Sequence, residues 1–433
     1  MTPTTPKNFN ATVAHPSPWR LFARMYLTHL SLTDYRNFTR LSLDVPRGML
    51  LLVGANAQGK TSLLEAVYFL ATFSAFDAES DRQTINFIAA RNDLAVGRIV
   101  ADFQRGGKKH RLEVRLIQDR ATTPYETTPR LRKEILLDGV KRKTSEVFGQ
   151  FNAVLFLPHM LRIVDGAPEE RRRYLNMALA QVIPGYADHL SAYARAVTQR
   201  NALLKQLAER GGDPNQLTFW DEQLARHGGA LIHARIHAIQ TLERIAALNH
   251  HELTRRAEVL RLIYQPAFDP LPSPKNQAIL PLNLAVDRAS VPLEKIERGF
   301  LQALASRRSE EMARGVTTIG PHRDEMRFLA NGIDLGSYGS RGQIRTAMLA
   351  LKLAEIHWMQ QITGEMPVLL LDEVLAELDA ERRHDLLQRL HGSEQALLTT
   401  TDLDLFAGNF VNRATVWQVN AGMIQPYVVE VTE

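Results

Sequence analysis

Residues Met49–Leu64, MLLLVGANAQGKTSLL, constrain this chain more than any other stretch. The apolar run Met49-Leu50-Leu51-Leu52-Val53 has the length and composition of a buried strand, and the residues from Thr61 onward (TSLLEAVYFLA) read as a helix. Between them, Gly54-Ala55-Asn56-Ala57-Gln58-Gly59-Lys60-Thr61 fits G-x-x-x-x-G-K-[ST] at every fixed position. Glycines let the backbone fold tightly enough for successive N–H groups to point at phosphate oxygens, and the positive end of the following helix faces the same point. Lys60 is then placed to neutralise β/γ-phosphate charge while the Thr61 hydroxyl ligates Mg²⁺. A chance glycine turn would lack the strand before and the helix after, so the stretch is expected to be a triphosphate cradle in an α/β fold.

The rest of the composition narrows the class. A chain of 433 residues, 45% hydrophobic and 23% charged, is long enough for two or three compact units. No apolar run approaches the length of a membrane span. Residues 1–24 lack a continuous apolar stretch, which argues against a signal peptide, and are expected to be a disordered tail or a misplaced start, with Met25 opening the fold. The absence of cysteine excludes disulfides, thiolate catalysis and thiolate-bound metal, and fits a reducing cytoplasm. Net charge is only +5, but basic residues cluster at Lys108-Lys109-His110-Arg111, Arg130–Lys133, Lys141-Arg142-Lys143 and Arg171-Arg172-Arg173. Singly, each cluster reads as a solvated face; together they favour a polyanionic partner, nucleic acid before membrane.

Along the chain, alternation over residues 26–53 predicts two or three strands leading into the phosphate loop, with Arg36 and Asn37 on a turn near it. They are nucleotide contacts or plain hairpin residues. Leu94–Phe103 and His110–Ile117 read as strands joined at Arg105-Gly106-Gly107-Lys108, Ile135–Val140 as another hairpin, and Asn152–Leu157 as a buried strand ended by Pro158. Pro168 opens a helix, and the Ala/Leu/Arg-rich pattern stays helical to about Ala267, with expected breaks at Pro184-Gly185, Gly211–Pro214 and Gly228-Gly229. His233 and His237 lie one turn apart, but with no third ligand nearby they read as a solvated face. Residues 265–293 are Pro-rich and read as a connecting or poorly ordered segment. Asn331-Gly332 is the strongest hairpin turn in the chain. The expected division is a tail (1–24), a first head segment with the phosphate loop (25–168), a helical insertion (169–305) and a second head segment (306–433).

Two motifs in the last part carry chemistry. Ser340-Arg341-Gly342-Gln343 opens a helix whose N-terminus can take an anion, although alone it reads as a plain serine cap. Pro367-Val368-Leu369-Leu370-Leu371-Asp372-Glu373 is a buried strand ending in two carboxylates. Such a strand delivers Asp372 to the Mg²⁺ shell of a phosphate-loop ATPase and Glu373 to the point where an attacking water is polarised. Asp379 follows in Ala376-Glu377-Leu378-Asp379.

Phosphate loop, long insertion, Ser-x-Gly-Gln, Asp-Glu strand and Leu-Asp stand in the order of a split ATPase head. At this point the sequence resembles the ABC-type ATPases of the SMC/Rad50 group, and within it the RecF recombination-mediator family. Carriers of the resemblance are Asp34–Phe38, Gly54–Thr61 with Leu63–Ala66, Val154–Pro158 with Pro168–Tyr174, Thr317–Asp324, Tyr338–Glu355 and Leu370–Asp379. The resemblance implies a split ABC-type P-loop ATPase head with an inserted helical arm domain. It implies ATP and Mg²⁺ as cofactors, Gly54 to Thr61, Ser340, Gly342, Gln343 and Asp379 as nucleotide contacts, Thr61 and Asp372 at the metal, and Glu373 as the catalytic carboxylate. It further implies an ATP-dependent homodimer on DNA, near single-strand gaps, working with RecR and RecO to help RecA load. Ala57 departs from the family's glycine, and Pro158-His159-Met160 from its acidic residue after proline.

The leading function is therefore a slow, DNA-stimulated ATPase whose cycle times its dimerisation on DNA. The alternative is a related DNA clamp in which ATP is mainly structural, which Glu373 argues against. A transporter subunit would keep loop and signature closer together, and a nuclease of related head type would need a further metal-binding domain after Asp379, where too few residues remain.

Overall fold

The computed structural model describes residues 24–76, 80–119, 130–271, 287–390, 392–406 and 408–427. Residues 1–23 of the expected tail and 272–286 of the Pro-rich connection lie outside these. Strands β1 (Tyr26–Tyr35) and β2 (Phe38–Asp44) form a hairpin that leads into β3 (Gly48–Val53) and helix α1 (Lys60–Thr72). Next come β4 (Leu94–Arg105), β5 (Lys108–Asp119), β6 (Arg130–Leu137), β7 (Val140–Arg142) and β8 (Ala153–Phe156). Helices α2 (Pro168–Val182), α3 (Tyr186–Arg210) and α4 (Leu217–Leu253) precede β9 (Leu260–Gln265) and α5 (Leu293–Arg314). The chain continues through β10 (Glu325–Ala330), β11 (Ile333–Asp334), α6 (Arg341–Thr363), β12 (Val368–Asp372), α7 (Ala380–Leu390), β13 (Gln395–Thr400), β14 (Thr415–Asn420) and β15 (Met423–Pro426).

Two six-stranded sheets face each other across α1. One is antiparallel, in the order β2-β1-β4-β5-β6-β7. The other runs β15-β14-β3-β13-β12-β8 and is parallel except at its β15 edge. Its registers join distant segments, with Leu50 opposite Leu397 and Leu370 opposite Leu155. Strands covered on both faces read as unbroken aliphatic runs, and the side chains divide by parity. Leu50, Leu52, Leu155, Leu370 and Leu397 enter the core shared with α1, while Leu51, Val154, Leu369, Leu371 and Leu398 enter the core shared with α4 and α6. A third sheet, β11-β10-β9, is antiparallel, and its β10–β11 turn places Asn331 and Gly332 at φ 48° and 82°, the left-handed pair a two-residue hairpin needs.

The structure corrects three expectations. Gly228-Gly229 does not break the helix: α4 runs through it for 37 residues, about 55 Å at 1.5 Å per residue. The glycines are there because neighbouring helices come close. A Cβ on Gly228 would stand 2.7 Å from Phe300 and 2.8 Å from Tyr193, and one on Gly229 would stand 2.6 Å from Glu297. The helical pattern also stops short of Ala267, since Leu260–Gln265 pairs with β10, a partner too far along the chain to announce itself locally. Third, Arg171-Arg172-Arg173 is no solvated basic face. Arg171 forms a fork on Glu325 at 2.5 and 2.8 Å, Arg172 donates to the Asp324 carbonyl at 2.8 Å, and Arg173 donates to the Ala75 carbonyl at 2.9 Å.

Thr317–Asp324 forms a buried clasp between the helices. Arg200 of α3, fully buried, meets Asp221 of α4 at 2.7 Å, Glu311 of α5 at 2.6 Å and the Thr317 hydroxyl at 2.9 Å. Arg235 of α4 reaches Asp324 at 2.8 Å, and Asp324 also accepts from the Ala267 amide at 2.9 Å. Removing one partner from a buried pair of this kind leaves an uncompensated charge and costs about 3–5 kcal/mol.

Candidate functional site

The phosphate loop links β3 to α1 at the carboxyl ends of the parallel strands, where open α/β sheets bind ligands. Gly59 adopts φ 113°, and a Cβ there would meet the Asn37 amide at 2.5 Å, so both its conformation and its space require glycine. A Cβ on Gly54 would strike the Val419 carbonyl at 2.3 Å. Ala57, where glycine was expected, does sit at φ 62°, a left-handed conformation that costs an L-residue about 1 kcal/mol. The Gln58 side chain accepts from the Ala421 amide at 2.7 Å, and its carbonyl accepts from the Asn37 side chain at 3.1 Å. The loop is thereby fixed to the β14–β15 turn and to the β1–β2 turn.

A cavity of about 350 Å³ opens above the loop, lined by Asn37, Asn56, Ala57, Gly59, Lys60, Thr61, Ser62, Pro158, Asp372 and Glu373. Lys60 is only 3% exposed. Its ammonium donates to the carbonyls of Gly54 at 2.7 Å and Ala55 at 3.0 Å and pairs with Glu373 at 3.1 Å. The Thr61 hydroxyl donates to Asp372 at 2.8 Å. Thr399, from the next strand, donates to Asp372 at 2.6 Å and accepts from the Glu373 amide at 3.0 Å. Glu373 itself takes φ 51°, a strained conformation for a non-glycine residue that turns the chain out of β12.

The donor set fits a small hard cation. Thr61 and Asp372 bring hydroxyl and carboxylate oxygens together, and Mg²⁺ takes one or two such protein ligands with the rest from phosphate and water. Burial pushes the Asp372 carboxyl above its ordinary range, and the hydrogen bonds from Thr399 and Thr61 partly offset this. That is the state of an anion lacking full compensation, which a cation would relieve. Among the described residues no group of three or more His, Cys, Asp or Glu side chains gathers elsewhere as a metal site, and His233 and His237 meet only each other, at 3.2 Å.

Other sequence candidates fall outside the cavity. Ser340 caps α6 as one half of a capping box: its hydroxyl accepts from the Gln343 amide at 3.2 Å, while the Gln343 side chain accepts from the Ser340 amide at 3.0 Å. Gly342 is open to solvent, with nothing nearer its missing Cβ than the Ser340 hydroxyl at 4.0 Å. Asp379 caps α7 by accepting from the Arg382 amide at 2.9 Å and pairs with the Arg382 guanidinium at 2.6 Å; these contacts, the backbone N–H first, hold its carboxyl below the usual range. None of Ser340, Gly342, Gln343 and Asp379 lines the phosphate-loop cavity of its own chain.

Arg36 does not face the cavity either. It makes a two-pronged pair with the buried Glu65 of α1, both bonds at 2.6 Å, and so fixes the β1–β2 turn to the helix. Sequence reasoning missed Thr399, which holds the Asp372 carboxylate and the Glu373 backbone N–H, and its one sign was a position in the apolar and threonine run 397–401. It read Pro158 as the end of a strand, and that residue also closes one side of the cavity.

Residues 26–424 match a family model described as the RecF/RecN/SMC N terminal domain. A protein named DNA replication and repair protein RecF from Roseiflexus castenholzii is 39% identical over 415 residues, 93% of this chain and all of the relative. One of the same name from Enterococcus faecalis is 35% identical, over 93% of this chain and 99% of the relative. A solved structure of the recombination mediator protein RecF with ATP in the RecFOR pathway superposes with a TM-score of 0.78 at 27% identity, over 94% of this chain and 99% of that one.

Proposed function

Because this chain belongs to the RecF family, we propose that it is an ATP-binding recombination mediator of DNA replication and repair whose heads close on nucleotide in pairs. Residues 25–168 and 306–433 form the head, and residues 169–305 its arm. Gly54–Thr61 encloses the triphosphate, with Lys60 bringing one buried positive charge to it. Thr61 and Asp372 would hold Mg²⁺, which would supply positive charge to the triphosphate. Glu373, beside Lys60, polarises the attacking water, and the cycle ends in slow hydrolysis stimulated by DNA.

The observation that carries the reading is a division of labour. Lys60, Thr61, Asp372 and Glu373 converge on one cavity, while the anion-binding N-terminus of α6 opens to solvent outside it. A second chain facing the first closes the site with its own Ser340, Gly342, Gln343 and Asp379. Nucleotide binding is thereby coupled to dimerisation, and dimerisation to a grip on DNA.

Support for DNA as the polyanion comes from the antiparallel sheet. Lys108, Lys109 and Arg111 on β5 and Lys141, Arg142 and Lys143 at β7 are all exposed, and β6 alone separates the two strands. Several of these charges have acidic neighbours, such as Lys109 with Asp102 at 3.4 Å and Lys141 with Glu134 at 2.8 Å, so the surface is a basic strip laced with carboxylates. RecR and RecO are the proposed partners in helping RecA load at gaps, in keeping with the RecFOR pathway of the solved relative. Light scattering of the chain with and without ATP, in the presence and absence of duplex DNA, tests the reading. ATP should convert monomer to dimer and DNA should favour the dimer. An unchanged mass under all conditions contradicts it.

A further inference from the structure

Helix α6 packs along the arm helix α4, and its N-terminal signature is joined to the base of the arm by one side-chain carboxylate, that of Glu258. Glu258 stands in the short connection between α4 and β9, and its Oε1 accepts a 2.8 Å hydrogen bond from the Gln343 side-chain nitrogen. The same Gln343 amide presents its oxygen to the Ser340 backbone N–H at 3.0 Å, while the Gln343 backbone N–H is capped by the Ser340 hydroxyl at 3.2 Å.

These contacts fix the direction of a proton. A side-chain amide has a donor end and an acceptor end, and an ionised carboxylate only accepts. Glu258 therefore rejects the flipped amide, in which two oxygens would face each other, and selects the orientation that completes the capping box. Once the Ser340 oxygen is committed as an acceptor from Gln343, its own O–H is left to donate outward, toward solvent and any anion placed there. Without Glu258 the amide is free to turn, its bond to the Ser340 backbone N–H is lost in the flipped state, and the box that holds the serine in place loosens.

Glu258 is also tied to the arm. It follows the last turn of α4, where its amide donates to the Thr254 hydroxyl at 3.3 Å. Its second oxygen is buried without a hydrogen-bond partner and lies 3.6 Å from His250, itself buried with both ring nitrogens unpartnered. Asn249, one residue earlier, donates to the Ala350 carbonyl of α6 at 3.4 Å. The base of a 37-residue helix thus rests on α6, with one carboxylate set to read any displacement between them.

We propose that Glu258 is a positioning residue for the signature, coupling the arm to the orientation of Ser340 and Gln343 on the partner's nucleotide. The inference rests on the paired-head reading above. Its test uses the full chain and two readouts, ATP affinity of the dilute monomer and the concentration at which ATP drives dimerisation. Glu258→Leu should leave monomer ATP affinity within about twofold and weaken dimerisation roughly 10- to 100-fold, the worth of a hydrogen bond to a charged group. Glu258→Gln, which can still accept from Gln343, should recover most of that loss.

A double-mutant cycle separates positioning from bulk stability: in a Gln343→Leu background, Glu258→Leu should have no further effect. Normal dimerisation of Glu258→Leu, or an equal loss in both backgrounds, overturns the proposal while leaving paired heads intact. If Ser340→Arg dimerises as well as the parent chain, the paired-head reading itself falls, and this inference with it.

Discussion

Alanine substitutions at the adjacent glycines of α4 should have unequal consequences. In a helix interior, Gly→Ala gains about 1 kcal/mol from backbone entropy and propensity. At Gly228 that gain meets two ring carbons at 2.7 and 2.8 Å from the new Cβ. Neither ring can withdraw easily. Phe300 is stacked on Phe268 with centroids 5.2 Å apart, and the Tyr193 hydroxyl is bonded to His322 at 2.7 Å. Overpacking of a rigid site costs roughly 1–3 kcal/mol, and here the upper half applies, so the net loss should be about 1–2 kcal/mol. At Gly229 the new Cβ meets the Cγ of Glu297 at 2.6 Å and its backbone Cα at 3.3 Å; the half-buried side chain can turn, which leaves a few tenths of an ångström for α5 to yield, and the net loss should stay below about 1 kcal/mol. Urea unfolding followed by far-ultraviolet circular dichroism measures both, with unchanged slopes as the check that only stability moved. Phe300→Leu should relieve part of the Gly228→Ala loss. A more stable Gly228→Ala protein, or an equal loss at Gly229, would refute the packing argument.

Lys60→Ala should weaken ATP binding by about 3 kcal/mol, or about a hundredfold, because among the described residues no other cationic side chain lines the cavity; titration with a fluorescent ATP analogue measures it. Glu373→Gln should retain ATP, accumulate dimer and slow phosphate release by a factor of 100 or more, on the scale of a lost general base; equal rates would move that role elsewhere. Reversing Lys108 and Lys109 to Glu should lower the slope of log K against log salt by about 2 for duplex DNA, near 0.9 per phosphate contact. Burial holds His322 down to about 4, so the unfolded chain takes up a proton before the folded one does, and stability should fall as pH drops from about 6.5 to about 4 by an amount on the order of 3 kcal/mol. His322→Gln should flatten that window in unfolding titrations, and an unaltered pH profile would exclude His322 as its source.

What could be read from the sequence was chemistry held in adjacent residues. Gly54–Thr61 announces its strand, loop and helix within one stretch, and Asp372-Glu373 behind four aliphatics announces a strand end. Asn331-Gly332 needs no distant partner to turn. What could not be read depended on residues far along the chain. Gly228-Gly229 looked like a stop because the rings that demand glycine come from positions 193 and 300. Leu260–Gln265 looked helical because its strand partner starts only at Glu325. Arg171–Arg173 looked solvated because Glu325, Asp324 and Ala75 were invisible to a local reading. Glu258 carried no local sign at all, its meaning residing entirely in Gln343.

The central claim, that the site is completed by a second chain, is tested most directly by mixing two inactive proteins. Lys60→Ala abolishes the cradle and Ser340→Arg blocks the signature, so neither alone should dimerise with ATP. A heterodimer of the two retains one composite site with Lys60 from one chain and Ser340 from the other, so ATP-dependent pairing should return to part of the parent level in the mixture, measured by light scattering across mixing ratios. If no ratio restores pairing, or if Ser340→Arg already fails to bind ATP as a monomer, the site is not shared between chains.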